Sequence, residues 1–220
     1  MYAWGVTKDG QTGLGTKEDQ TRPAKVESSL ENVVSLSVGA RMTLALTSDG
    51  DLYSWGTGLM GELGLAYVTR QDTPAKLMKA SVKFKAIAVG YEHCLAVSEP
   101  GDIYVWGAND LGQLGTGDLK PIDRPTKLKL PQKFVSVAAG TKHSMALSEH
   151  GFVFTWGGGW ASQNGDSESK SFLTPHLLSE DLTFKYISAG DYCSVAINST
   201  SSRCVFRLYH IDISGVASTY

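Results

Sequence analysis

Few cysteines, a nearly balanced charge and the lack of any long apolar run set the first limits on this 220-residue chain. Cys94, Cys193 and Cys204 are odd in number and form no CxxC pair. They therefore offer no disulfide framework and point to reduced thiols in an intracellular compartment, cytoplasmic or nuclear. Lys and Arg total 20 against 22 Asp and Glu, a formal net charge of -2, so no chain-wide field favours nucleic acid or an anionic membrane. No apolar run approaches bilayer-spanning length, and no charged start followed by an apolar segment marks a secretory signal. Helix caps and 3.6-residue apolar stripes are missing too, which leaves strands as the building material.

What the chain does have is a metre. Trp4-Gly5, Trp55-Gly56, Trp106-Gly107 and Trp156-Gly157 recur in steps of 51, 51 and 50 residues. Pro23, Pro74, Pro125 and Pro175 each follow their Trp by 19 residues, and Gly13, Gly64, Gly115 and Gly165 by nine. Gly39, Gly90, Gly140 and Gly190 complete the frame, with the next Trp 16 residues further on in the first three. A period in this range marks stacked or circular supersecondary units, each burying its apolar face only against its neighbours.

Within each unit, β-branched and aromatic runs alternate with glycine, proline and polar clusters, the pattern of short strands. The first run covers 33–38, 84–89, 134–138 and 184–188, and the second 43–47, 94–98, 144–148 and 194–198. A third leads into Trp55, Trp106 and Trp156, and a weaker fourth is expected after each proline, around Lys25-Val26, Lys76-Leu77, Lys127-Leu128 and His176-Leu177. Four antiparallel strands per unit of about 50 residues describe a propeller blade. The expected fold is an all-β propeller over 1–206, in units 1–54, 55–105, 106–155 and 156–206, with a non-repeat tail at 207–220.

WD40 blades are shorter, and kelch blades need a paired glycine in every unit, whereas Gly157-Gly158-Gly159 is confined to one. The run Trp106-Gly107-Ala108-Asn109-Asp110-Leu111-Gly112-Gln113-Leu114-Gly115, then Arg124-Pro125, then Gly140-Thr141-Lys142-His143-Ser144, resembles the regulator of chromosome condensation repeat. That resemblance implies a seven-bladed propeller, of which this chain would supply an incomplete ring of about four blades. Met1 to Trp4 would lie in the last strand of an earlier blade. At the far end the register places Ser201 at the turn glycine, Phe206 at the tryptophan and Arg207 at the glycine after it. A fragment or alternative product of a longer protein is the favoured reading; a four-bladed ring closed by Met1 to Trp4, and a half-propeller paired with a second chain, are the others.

No constellation for catalysis, cofactor or metal emerges. His93 and His143 share one repeat position with Met42 and Cys193, so a half-buried packing role explains the mixture better than a ligand set. The Gly157-Gly158-Gly159 run lacks the Gly-Lys-Ser/Thr and helix of a phosphate loop. Binding is better sought in what varies inside the frame, the loop after each Trp-Gly. There Lys8, Asp9, Leu59, Met60, Asp110 and Trp160 would bring apolar bulk and charge to one face, a mixture that suits a protein partner. The alternative for Leu59 and Met60 is that they fold back onto their own blade. A second candidate is a basic rim of Lys76, Lys79, Lys83 and Lys85, echoed by Arg124, Lys127, Lys129 and Lys133. It would attract acidic groups or merely discourage edge pairing.

The resemblance implies interaction and scaffolding roles, with a small GTPase or a ubiquitin-pathway substrate as partner, and guanine-nucleotide exchange as the alternative. Exchange in the archetype comes from a β-wedge inserted in one blade, and Trp-to-Trp spacing here never exceeds 51 residues. The family's ultraviolet receptors carry Gly-Trp-Arg-His-Thr at the framework glycine. The tryptophan is absent from all four places here, which speaks against photoreception. The expectation is a non-enzymatic interaction module.

Overall fold

The computed structural model describes residues 1–27, 30–77, 82–166, 168–199 and the backbone of 204–207. All of its regular structure is β. A two-stranded sheet joins β1 (Tyr2–Gly5) to β2 (Gln20–Lys25). Three four-stranded antiparallel sheets follow. They are β3 (Val33–Val38), β4 (Met42–Thr47), β5 (Leu52–Thr57) and β6 (Arg70–Lys76); then β7 (Phe84–Val89), β8 (His93–Ser98), β9 (Ile103–Gly107) and β10 (Ile122–Lys127); then β11 (Phe134–Ala139), β12 (His143–Ser148), β13 (Val153–Gly157) and β14 (Phe172–Leu177). A three-stranded sheet of β15 (Phe184–Ala189), β16 (Ser194–Asn198) and β17 (Cys204–Arg207) ends the series. Successive sheets meet through their first two strands, β3 and β4 on β7, β7 and β8 on β11, and β11 and β12 on β15. This is the blade-on-blade stacking of a propeller arc, with no sheet closed on itself.

Sheet and sequence unit are out of phase, because each sheet begins in one Trp-to-Trp unit and ends in the next. The chain therefore opens on a third strand, β1, with β2 as the outermost, rather than on a last strand. The fourth strand also differs from expectation: it contains the proline instead of following it, at Pro23 in β2, Pro74 in β6, Pro125 in β10 and Pro175 in β14. An outermost strand has a free side where no N–H is needed, which is the place in a sheet that tolerates proline.

Sheets are held together by a repeated plug. Trp55, Trp106 and Trp156 are buried, and each donates its indole N–H to a backbone carbonyl of the preceding unit, Gln11, Glu62 and Gln113 at 3.0, 2.8 and 2.8 Å. The same carbonyls accept a second donor from the middle of the sheet: Thr43 Oγ1 at 2.9 Å, Cys94 Sγ at 3.4 Å and Ser144 Oγ at 2.7 Å. Gly13, Gly64 and Gly115 lie under these rings with positive φ, and a Cβ there would stand 2.7, 2.9 and 2.9 Å from the indole nitrogen. Glycine is thus required twice over, by conformation and by the closeness of the ring. Around Trp156 the apolar cluster draws Leu95, Val97, Ile103, Val105, Leu114 and Leu128 from one sheet and Phe134, Val137 and Ala146 from the next.

The metre breaks at the last sheet. Thr43, Cys94 and Ser144 face Trp55, Trp106 and Trp156 across their ladders, but the equivalent Ser194 faces Arg207, and Phe206 faces Val195. Phe206 is therefore one register position away from the tryptophan place, which Arg207 holds. Ser201, expected at the turn glycine, and the tail beyond Arg207 lie outside the described residues.

Candidate functional site

At one end of the sheets, the loops after Trp55-Gly56, Trp106-Gly107 and Trp156-Gly157 meet the loops between the first and second strands of the following sheet. The meeting obeys one spacing: residue n of the first loop faces residue n+32 of the second. Leu59 and Tyr91 line one cleft, with Arg41, Glu62 and Glu92. Asp110 takes an ion pair from Lys142 at 2.9 Å, and Lys142 reaches Glu92 at 2.9 Å as well. Trp160 packs on Tyr192 with ring centroids 5.9 Å apart. An apolar pair, an ion pair and an aromatic pair thus stand side by side on successive sheets.

Each expected residue has a definite place. Leu59 and Met60 are 65% and 52% exposed, so they do not fold back onto their own blade. They border a broad cleft with Tyr67, Val68 and Ile122. Tyr67 is 92% exposed. Asp110 is exposed, and although partial burial pushes its carboxyl upward, hydrogen bonds from Gln113 and Lys142 outweigh that and hold it below the ordinary carboxylate value. Trp160 is 46% exposed. Lys8 and Asp9 belong to the first loop, where their carbonyls anchor Arg70 and Thr57 of the next sheet at 2.9 Å each. Those two side chains are not brought together with the pairs around Lys142 and Trp160.

Trp160 carries a local cost. In the preceding unit Gln113 donates to Asp110 at 2.7 Å; one unit on, Trp160 replaces the acceptor and the buried Gln163 Nε2 has no partner among the described residues. An orphaned buried donor costs about 1–3 kcal/mol.

The histidines are not half-buried but fully so. His93 Nε2 lies 2.9 Å from Ser144 Oγ and His143 Nε2 3.0 Å from Ser194 Oγ, each bond crossing from one sheet to the next. Burial, with the charges of His143 and Lys142, lowers the pKa of His93 to about 3. Burial lowers that of His143 to about 4, against a backbone hydrogen bond at Cys193. Both rings are neutral sheet-to-sheet ties.

Four lysines of the basic rim are clasped in pairs by two aspartates. Asp51 binds Lys76 at 2.7 Å and Lys83 at 2.9 Å, and Asp102 repeats the clasp with Lys127 at 2.7 Å and Lys133 at 2.6 Å. Lys79 lies outside the described residues. These four lysines serve as structural clasps. Among the described residues no group of three or more His, Cys, Asp and Glu is arranged to hold a metal ion, and no helix is long and apolar enough to cross a membrane.

Sequence reasoning missed Tyr91, Lys142 and Tyr192. The signal was available: they vary beside framework glycines just as Leu59, Asp110 and Trp160 vary beside the tryptophans, and the offset of 32 residues couples the two sets.

Comparison with known proteins places this geometry among relatives. The family model described as RCC1-like domain matches residues 1–206. The ultraviolet-B receptor UVR8 of Arabidopsis thaliana is 38% identical over 132 residues, which is 59% of this chain and 30% of the receptor. The human E3 ubiquitin-protein ligase HERC2 is 35% identical over 127 residues, 57% of this chain and 3% of the ligase. Yeast RCC1 (Prp20), solved bound to Kap60, superposes with a TM-score of 0.78 at 27% identity, covering 90% of this chain and 49% of that one. Another structure, of Prp20p from Saccharomyces cerevisiae, is described with its binding to Gsp1p and histones. Human WBSCR16 gives a TM-score of 0.79 at 25% identity over 90% of this chain and 55% of its own. The chain spans less than a third of UVR8 and a few per cent of HERC2.

Proposed function

Because the chain belongs to the RCC1-like domain family, we propose that it is a non-enzymatic module that binds a protein partner through the loop face carrying Leu59, Tyr91, Asp110, Lys142, Trp160 and Tyr192. The observation that carries this reading is the Trp160–Tyr192 pair, exposed and held at 5.9 Å beside the Glu92–Lys142–Asp110 ion-pair chain. Aromatic anchors flanked by charged groups are the usual composition of a binding hot spot and its rim. The partner therefore has an apolar pocket for the aromatic pair and charges opposed to the ion-pair chain. Candidates are a small GTPase, by likeness to yeast Prp20, which binds Gsp1p, and a ubiquitin-pathway substrate, by likeness to HERC2. Cys94 and Cys193, free among the described residues, suit a reducing compartment, cytoplasmic or nuclear.

Affinity capture with the chain as bait tests the face. Replacing both Trp160 and Tyr192 by Ala is expected to cut capture of its partner at least about tenfold, the effect of one strong anchor. The circular dichroism and melting of the domain should be retained; undiminished capture would remove this face. The alternative, guanine-nucleotide exchange, is supported by the 27% identity to Prp20. Nucleotide release from a panel of small GTPases is expected to stay at its spontaneous rate, and acceleration by the chain would install the alternative.

A further inference from the structure

The loop after a Trp-Gly also closes on the start of the fourth strand of the following sheet, and three such closures share one backbone bond. Gly15 N donates to the Asp72 carbonyl at 3.1 Å, Ala66 N to that of Asp123 at 3.0 Å and Gly117 N to that of Leu173 at 2.8 Å. Between the first two the spacing is an unbroken 51 residues, so Lys8, Arg70 and Asp72 of one correspond to Leu59, Pro121 and Asp123 of the other. The third has Leu173 in place of the acid.

The first closure is filled from within. Arg70 opens β6, and its guanidinium donates through Nε to the Asp72 carboxylate at 2.8 Å and through Nη1 to the Lys8 carbonyl at 2.9 Å. One fork thus joins an acid on the strand to a carbonyl on the loop. In the second closure Pro121 stands where the arginine does, so β10 begins one residue later, at Ile122, and the side chain has no donor to offer. What remains is the cleft of about 550 Å³ lined by Leu59, Met60, Tyr67, Val68 and Asp123. Among the described residues no donor bonds the Asp123 carboxylate, and none reaches the Leu59 carbonyl.

We propose that this cleft receives an arginine side chain of the protein partner, its guanidinium set on the Asp123 carboxylate and the Leu59 carbonyl as Arg70 is set on Asp72 and Lys8. The inference rests on the loop face binding a protein, and it names one group that the protein carries. Two acceptors side by side call for the planar fork of arginine, whereas a lysine ammonium is a point donor. The walls suit an incoming side chain better than those of the first closure. Where that one has Lys8, Asp9, Thr16 and Lys17, this one has Leu59, Met60, Tyr67 and Val68. The methylene stem of an arginine lies along such a wall while its charged head meets the acid. Tyr67, almost wholly exposed, supplies an aromatic face for the guanidinium.

Titration of the 220-residue chain with the blocked pentapeptide acetyl-Ala-Leu-Arg-Leu-Ala-amide, followed by nuclear magnetic resonance, tests it. Saturable shifts are expected at the Met60 methyl and the Tyr67 ring. The dissociation constant should rise at least about fivefold when citrulline, which keeps the shape without the charge, or lysine replaces the arginine. Asp123→Asn should weaken the arginine peptide by a similar factor, and Pro121→Arg should fill the cleft in cis and abolish the shifts, its spectrum reporting at once that the variant is folded. Trp160→Ala with Tyr192→Ala should leave peptide binding unchanged. Absence of saturable shifts overturns the inference, as does binding that neither citrulline nor Asp123→Asn weakens. In affinity capture, a partner whose retention needs Trp160 and Tyr192 but is indifferent to Asp123→Asn overturns the arginine site and leaves the loop face standing. Capture that depends on Asp123 but not on the aromatic pair does the reverse.

Discussion

Trp4 and Trp106 are the same residue in the same local sequence frame, yet one lies open and the other is enclosed and hydrogen-bonded to Glu62. The difference is made by a neighbour about 44 positions away in the chain, not by anything beside the tryptophan. Trp106→Ala empties a joint and is expected to cost about 3–5 kcal/mol. Trp4→Ala, measured as monomer, should stay within about 0.5 kcal/mol of the parent. Urea titrations of the two variants at one low protein concentration check the contrast; equal losses would mean that the joint is not what makes tryptophan valuable. The metre in the sequence made all four tryptophans alike, because periodicity records position and not what lies across the gap between sheets. For the same reason the exposure of Leu59 and Met60 stayed open until the loops were seen.

At the scale of the strand, each of the outermost strands β6 and β10 combines a proline, which cannot donate to a further strand, with a lysine held by the aspartate that precedes the adjoining third strand; the same aspartate holds a second lysine at the entry to the next sheet's inner strand. Hydrogen bonds from Lys76 and Lys83 hold the Asp51 carboxyl below its ordinary value, and those from Lys127 and Lys133 do the same for Asp102. A depressed carboxylate contributes stability above the unfolded-state pKa, and that contribution disappears as pH falls through the folded one. Asp51→Asn with Asp102→Asn should therefore lower the melting temperature at neutral pH, by less in high salt, and make no difference once the pH is well under about 3.9. A melting series against pH and salt checks this; a loss that persists in acid would assign the aspartates another role. Strand existence was legible from β-branched runs, and 33–38 and 84–89 match their strands end for end. The fourth strand was misplaced because proline reads as a boundary when the free edge that tolerates it is a property of the whole sheet. The lysine rim was legible, but its partners lie 25 and 32 residues away in the case of Asp51.

Across the whole molecule, His93 and His143 tie successive sheets while neutral, with folded values near 3 and 4. An unfolded histidine titrates near ~6.5. Between these values the unfolded chain binds protons that the folded one refuses, so stability is full above about 6.5 and falls as the pH drops toward the folded values. The slope approaches 1.4 kcal/mol per pH unit for each ring. Denaturant midpoints at pH 7 and pH 5 should reveal this loss, well above the range where the aspartates act. His93→Gln with His143→Gln should flatten it, and an unchanged acid slope would refute the assignment. The arc of blades was legible from the period, but the single-residue slip that puts Arg207 opposite Ser194 was not, since counting from a metre presumes that the strand stays in step. The plugged joint has a last consequence. Three successive seams are each built from one unit's carbonyl and the next unit's tryptophan, while each complete sheet is stitched from two units. Copying or deleting one whole period therefore leaves every cut end facing a compatible one, wherever in the period the cut falls. Within that run of seams, gain or loss of one whole period would still leave each internal carbonyl facing a tryptophan.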